Sequence, residues 1–248
     1  MKQIVLMYHD VYLHNPNESG FASDLYKLDV HNFEEQVKVL ANLRDNKMSS
    51  LKILLTFDDG GSSFSHLIMS ILDKYGFKGY FFISTNYIGQ KGFLNHDEII
   101  DLYNKGHYIG SHSHTHPENI SKFRSEDLLE EWVTSIKILS EIIKNPVTIA
   151  SVPNGYCTTK VIEAAKKAGI VDLYTSTPKC TPCENNELNI IGRYVVLSDA
   201  TPQEVLSICT SNVKRFLMLF KTRLLSVPKT ILGENYENVK SRILGLIK

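Results

Sequence analysis

The residues of this chain best suited to chemistry fall in two short segments. Thr56-Phe57-Asp58-Asp59-Gly60 sets two adjacent carboxylates behind an apolar run, and His112-Ser113-His114-Thr115-His116 sets two imidazoles four residues apart. Together they offer one carboxylate and two imidazoles to a metal ion and leave one carboxylate over as a base. That is the inventory of a hydrolytic metal site with an open coordination position. Neighbouring carboxylates repel when both are ionised, and a divalent cation relieves the repulsion, so a division into ligand and base is natural. A spacing of four lets a single helical turn present His112 and His116 to one ion. The same spacing serves H-E-x-x-H proteases, but the intervening Glu is missing, so the base comes from elsewhere and Asp58 is available. His114, two residues from each neighbour, should point away from the ion. The competing readings are that one aspartate caps the next helix, and that the histidines are a polar loop before Pro117. Three histidines in five residues weigh against the loop.

These residues need elements to carry them. Ile4 to Tyr8 reads as a buried strand, and Phe33, Val37, Leu40 and Ala41 mark one face of a helix. Ile53-Leu54-Leu55 is a second strand ending at the aspartates. A helix through Leu67, Ile71 and Leu72 follows, stopped by Gly76. Tyr80 to Ile83 is a third strand, Glu98 to Asn104 a short helix, and Tyr108-Ile109 a strand running into the histidines. Leu128, Leu129, Trp132, Val133, Ile136, Leu139 and Ile143 trace an amphipathic helix from Ser125 to Lys144. Val147 to Ala150 is a strand, Pro153-Asn154-Gly155 a turn, and Lys160 to Ala168 a helix. Ile190, Ile191 and Tyr194 to Val196 form one late strand. Thr201-Pro202-Gln203-Glu204 is a capping box with proline at the first helical position. This alternation argues for parallel strands with helical crossovers, an α/β barrel or an open doubly wound sheet. In a barrel, Asp58, Asp59, His112, His116, Pro153-Asn154 and His9 all follow strands and can meet on one rim.

The 248 residues allow one large domain or two small ones and carry zero formal net charge, so nothing global attracts nucleic acid. No stretch has the length of a secretory h-region or of a membrane span. The four cysteines (Cys157, Cys180, Cys183, Cys209) do not make a disulfide framework, and free thiols in a cytoplasmic protein are expected. Cys180-Thr-Pro-Cys183 has metal or redox spacing, but no second pair follows and it reads as an ordinary loop. From Asn212 onward eight Lys/Arg stand against Glu234 and Glu237. In that tail Val213, Phe216, Leu217, Phe220 and Leu224 recur at helical spacing, Pro228 interrupts, and Val239, Ile243 and Leu246 suggest a final helix. The tail, 212–248, is a basic amphipathic helical extension, either packed on the body of 1–211 or facing an anionic membrane, to which the protein would be peripheral.

The Thr-Phe-Asp-Asp-Gly and His-Ser-x-x-His segments resemble, residue for residue, the first two motifs of the polysaccharide deacetylases, the group sharing the NodB homology domain (carbohydrate esterase family 4). The resemblance spans about residues 1–197. It implies a distorted (β/α) barrel of about seven strands, with Asp58 as catalytic base and Asp59, His112 and His116 as metal ligands. Zinc is favoured by ligand type, with cobalt, iron(II) and nickel as alternatives.

Two departures from the family pattern matter. Its third motif, Arg-x-Pro-Tyr/Phe, is Ser151-Val152-Pro153-Asn154 here. The backbone N–H after that proline helps hold the oxyanion in the family, and Asn154 can still supply it. The family arginine orients the catalytic Asp, which Ser151 cannot do; Arg193, in Ile191-Gly192-Arg193-Tyr194, is the candidate replacement. The family also carries a general-acid histidine near its C-terminus, whereas no histidine follows His116. Met7-Tyr8-His9-Asp10-Val11 instead resembles the Tyr-His-x-Val opening of a permuted branch that includes deacetylases of poly-N-acetylglucosamine biofilm polymers, and His9 is assigned as the acid. The expectation is a metal-dependent hydrolase removing N-acetyl groups from an amino sugar of a glycan or glycan precursor. Alternatives are a deformylase or deacetylase of a lipid-linked or nucleotide-linked sugar, and a catalytically inactive glycan-binding module.

Overall fold

A computed structural model describes residues 2–21, 25–46, 51–179, 183–185 and 188–232. Eight strands run parallel: β1 (Lys2–Tyr8), β2 (Leu51–Phe57), β3 (Gly79–Ile83), β4 (Tyr108–Ser111), β5 (Ile149–Ser151), β6 (Asp172–Thr175), β7 (Leu188–Gly192) and β8 (Tyr194–Val195). Their order is β8-β1-β2-β3-β4-β5-β6-β7, with a short antiparallel strand, Cys183–Asn185, beyond β7. Helices α1 (Val30–Asp45), α2 (Met69–Lys74), α3 (His96–Asn104), α4 (Ser125–Ile143) and α5 (Thr159–Lys167) form the crossovers, and α6 (Pro202–Thr210) and α7 (Asn212–Leu232) follow the last strand. This is the distorted (β/α) barrel that the family resemblance implies, and one of the two architectures the alternation allows.

The expected single late strand is two. β7 pairs with β6, and β8 pairs with β1, so the chain leaves one edge of the sheet and joins the other at Arg193. Seven strand positions thus become eight strands, and the nearly closed barrel is completed by one residue of covalent chain. Gly192 permits the crossing, because a Cβ there would run into the Thr177 carbonyl and the Lys179 side chain.

Side-chain alternation divides the core. Ile4, Leu6, Ile53, Leu55, Phe81 and Ile83 face outward under α1, α2 and α3. Val5, Leu54, Phe82, Tyr174 and Ile191 fill the barrel. The same period of two carries the inner face of β2 from Leu54 through Thr56 to Asp58, just past its end, and that of β7 from Ile191 to Arg193, just past its end. The interior is therefore apolar at the bottom and becomes ionic at the rim where the strands end.

Several local expectations shift. The helix after the aspartates opens with a π-helical turn, Phe64–Ile68, and its N-cap is Ser63, so neither Asp58 nor Asp59 caps it. β5 starts at Ile149 rather than Val147, whose N–H is taken by the Ser140 hydroxyl at the end of α4. The Thr201–Glu204 capping box is present. α7 runs through Pro228 without the expected interruption; a proline removes one helical hydrogen bond without always ending the helix. The suggested helix at Val239, Ile243 and Leu246, and Cys180, lie outside the described residues. Cys157 and Cys209 are free thiols. Among the described residues, no helix is long and apolar enough to cross a membrane.

Candidate metal and catalytic site

At the carboxyl ends of β2 and β4 the chain leaves regular structure to aim its polar groups inward. Asp58 continues the β1–β2 ladder, its N–H donating to the Tyr8 carbonyl at 3.1 Å. Asp59 then takes a left-handed backbone, φ 87°, which turns a residue that strand alternation would send outward toward the same rim. Gly61 follows because a Cβ at that point would strike the buried Asp10 carboxylate.

The histidine segment is a loop, not the helical turn expected from its spacing. Ser113 (φ 64°) and His116 (φ 51°) are both left-handed. The N–H groups of His114 and Thr115 both donate to Glu131 Oε2 at 2.9 Å, and the Thr115 hydroxyl donates to Oε1 at 2.6 Å. Glu131 is a buried carboxylate of α4, so a side chain from another helix satisfies amides that a helical turn would have paired internally. His114 turns away, as expected, to the Thr85 hydroxyl at 2.8 Å.

Asp59 Oδ1 lies 3.4 Å from His112 Nε2 and 3.4 Å from His116 Nε2. One donor atom from each of these residues falls within 4.8 Å of the others. Two donors about 2.0–2.1 Å from a tetrahedral ion stand about 3.3 Å apart, so the trio fits a divalent cation. His112 Nδ1 faces the Ser151 carbonyl (3.1 Å) and hydroxyl (2.5 Å). Donation there leaves Nε2 as the lone-pair nitrogen, the tautomer a metal needs. Burial pushes the Asp59 carboxyl up, but when the imidazoles of His112 and His116 are protonated their hydrogen bonds outweigh this and hold it well below the usual range.

Asp58 is not one of the trio, although its Oδ2 lies 3.9 Å from His112 Nε2. It is held by Arg193, whose Nη1 donates to Oδ1 at 2.6 Å and Nη2 to Oδ2 at 2.7 Å. The guanidinium is also anchored through Nε to the Thr175 carbonyl and through Nη1 to the Thr56 hydroxyl, both at 3.2 Å. Burial would raise the Asp58 carboxyl; the charges of Arg193 and His112 more than offset it, and the group is lowered. Ser151 corrects the expectation that it has no part in orienting Asp58, since its hydroxyl donates to Asp58 Oδ1 at 3.2 Å.

His9 is half-buried at the end of β1, stacked on Tyr26 with ring centroids 4.5 Å apart. Burial lowers its pKa, and the charges of Asp59 and Asp58 partly restore it, so the ring belongs to the same electrostatic neighbourhood. Its Nδ1 has no protein partner. Asn154 is left-handed (φ 53°), and its amide donates to the Pro117 carbonyl at 3.3 Å, tying the β5 loop to the one carrying His116.

Three contributors escaped the sequence reading: Glu131, Ser151 as a hydrogen-bond partner, and Asp10. Asp10 Oδ1 accepts the hydroxyls of Ser19 and Ser63, each at 2.6 Å, and so joins the loop after β1 to the one after β2. Only Glu131 left a signal. It falls on the buried stripe of its helix with Leu128, Trp132, Ser135 and Leu139, where a carboxylate requires a partner.

Known proteins resemble this chain in sequence and in fold. The chain is 27% identical to YxkH of Bacillus subtilis over 180 residues, covering 70% of this chain and 64% of that protein. It is 34% identical over 92 residues to a chitin deacetylase of Arthroderma benhamiae, covering 37% of this chain and 24% of that one. The matched part thus spans less than two thirds of either relative. Its fold is similar to that of the deacetylase PplD of Streptococcus pyogenes, with a TM-score of 0.72 at 19% identity over 84% of this chain and 98% of PplD. The polysaccharide deacetylase family model matches residues 45–172, just over half of the chain, which begins before β2 and ends in β6. The chain belongs to the polysaccharide deacetylase family.

Proposed function

We propose that this protein hydrolyses the N-acetyl group of an amino sugar in a glycan or glycan precursor, with Asp59, His112 and His116 holding a divalent cation, zinc first among the candidates. The observation that carries this is a pair of carboxylates in adjacent positions with opposite environments. Asp59 sits between two imidazole nitrogens at 3.4 Å, while Asp58 is turned to Arg193. When bound, the cation would polarise the amide carbonyl and make water a better nucleophile near neutral pH. Asp58, ionised and fixed by Arg193 and Ser151, takes the proton from the attacking water. The Asn154 N–H donates to the developing oxyanion, a contact typically worth about 3–4 kcal/mol. His9 protonates the departing amine, without which the C–N bond does not break. A non-catalytic glycan-binding barrel is the alternative for a chain lacking the family's arginine; the paired hydrogen bonds of Arg193 to Asp58 favour the catalytic reading.

Elemental analysis and acetate release test the assignment together. Purified protein should carry one equivalent of divalent metal and release acetate from an N-acetylated amino-sugar oligomer. Asp59→Ala should lose both metal and activity. Asp58→Ala should keep its metal and lose activity by about 10²–10⁴-fold. Retained metal in Asp59→Ala overturns the ligand scheme.

A further inference from the structure

We infer that the outer face of α7 seats the protein on an anionic lipid bilayer. The helix is fastened to the body by the opposite face. Arg215 is buried, and its guanidinium donates to the Ile208 and Cys209 carbonyls, while Met218 packs on the main core. The apolar stripe that the sequence spacing would normally turn inward therefore lies in solvent. Val213 is 68% exposed, Phe216 65%, Leu217 55% and Phe220 58%, the largest such exposures of apolar side chains among the described residues. The stripe's spacing continues in the sequence at positions 224, 227 and 231, all apolar and all within the helix. A continuous exposed apolar stripe marks an interaction surface.

Charge selects the occupant. Between Asn212 and Leu232 the sequence has five cations and no acid. Lys214 is spent on Glu204 at 3.5 Å, and Arg215 is inside. Helical spacing puts positions 221 and 223, Lys and Arg, at the two borders of the stripe. An apolar stripe bordered by cations, with no acid on the helix, is the pattern of a helix lying in the lipid interface, its chains in the acyl boundary and its cations at the headgroups. A second copy docked on the same stripe would bring like charges together.

Co-sedimentation of the full chain with vesicles tests this independently of the catalytic assignment. Vesicles of equal phosphatidylglycerol and phosphatidylcholine should pull down the protein, and pure phosphatidylcholine vesicles should not. Raised salt should weaken the binding, and Lys221→Glu should reduce it about five-fold or more, since each interfacial cation contributes about that factor. Phe216→Glu with Phe220→Glu, both on the solvent face, should abolish binding and leave acetate release from a soluble substrate unchanged. The proposal is overturned by failure to bind anionic vesicles, or by binding that the double substitution does not reduce. It is equally overturned if light scattering finds a dimer that the double substitution turns to monomer.

Discussion

Arg193 and Asp58, 135 residues apart in sequence, are joined by two parallel hydrogen bonds of 2.6 and 2.7 Å inside the barrel. The pair is fully buried, so its attraction is little screened, and its fork geometry fixes both carboxylate oxygens. A point charge cannot replace the fork. Arg193→Lys should therefore keep metal content unchanged and lower kcat by about 10–100-fold, equivalent to about 1.4–2.8 kcal/mol. Arg193→Ala strands a buried carboxylate and should cost about 3–5 kcal/mol of stability. Metal analysis, steady-state kinetics and thermal unfolding of the two variants separate these effects.

Among the described residues, His9 lies outside the ligand loop and within the electrostatic reach of Asp58 and Asp59, and its proposed role as acid depends on how poor the leaving group is. His9→Ala should lose about 10²–10⁴-fold on an N-acetyl amide. On p-nitrophenyl acetate, whose phenolate leaves without a proton, the loss should be small. Parallel assays of the two substrates check this; equal losses on both would falsify the acid assignment.

Glu131 holds the loop between the proposed ligands His112 and His116 by three hydrogen bonds, all of them from His114 and Thr115. Glu131→Gln keeps the shape of the side chain but replaces one acceptor oxygen with a donor. Metal affinity measured by calorimetric titration should fall about ten-fold, as for other supports of metal ligands. The helical circular dichroism signal should not change.

Asp10 is 1% exposed, and its Oδ2 has no partner. Burial raises its carboxyl from the ordinary 3.8 to about 6, against the pull of the Ser19 and Ser63 hydroxyls. Between those values the folded chain holds a proton that the unfolded chain has released. The contribution to stability is thus fully present below pH 3.8 and is lost as pH rises through about 6. The loss is on the order of 3 kcal/mol. Asp10→Asn cannot titrate, so its melting temperature relative to the parent, both metal-free, should rise between pH 4 and pH 7. Paired thermal melts at the two pH values measure it.

The alternation of apolar runs and amphipathic stretches narrowed the fold to a barrel or an open doubly wound sheet, and the family resemblance of the aspartate and histidine segments chose the barrel. The sequence also pointed to Arg193, since a missing arginine beside a catalytic carboxylate needs a substitute. What it concealed depends on long-range contact. Spacing alone cannot distinguish a helical turn from a loop whose amides are taken by Glu131. Nor can it tell one bent strand from two with different neighbours, because the steric crowding at Gly192 comes from Thr177 and Lys179.

Among the described residues, five non-glycine positions have left-handed backbone: Asp59, Ser113, His116 and Asn154 line the rim, and Lys144, at the end of α4, does not. Each such residue is held against its intrinsic preference at a cost on the order of 1 kcal/mol. Glycine at Ser113 would ease that tension, yet it would also remove the hydroxyl that receives the His116 N–H. Robustness and reactivity therefore compete at the same backbone positions, and selecting this protein for heat tolerance alone would be expected to erode the loops of the proposed cation site first.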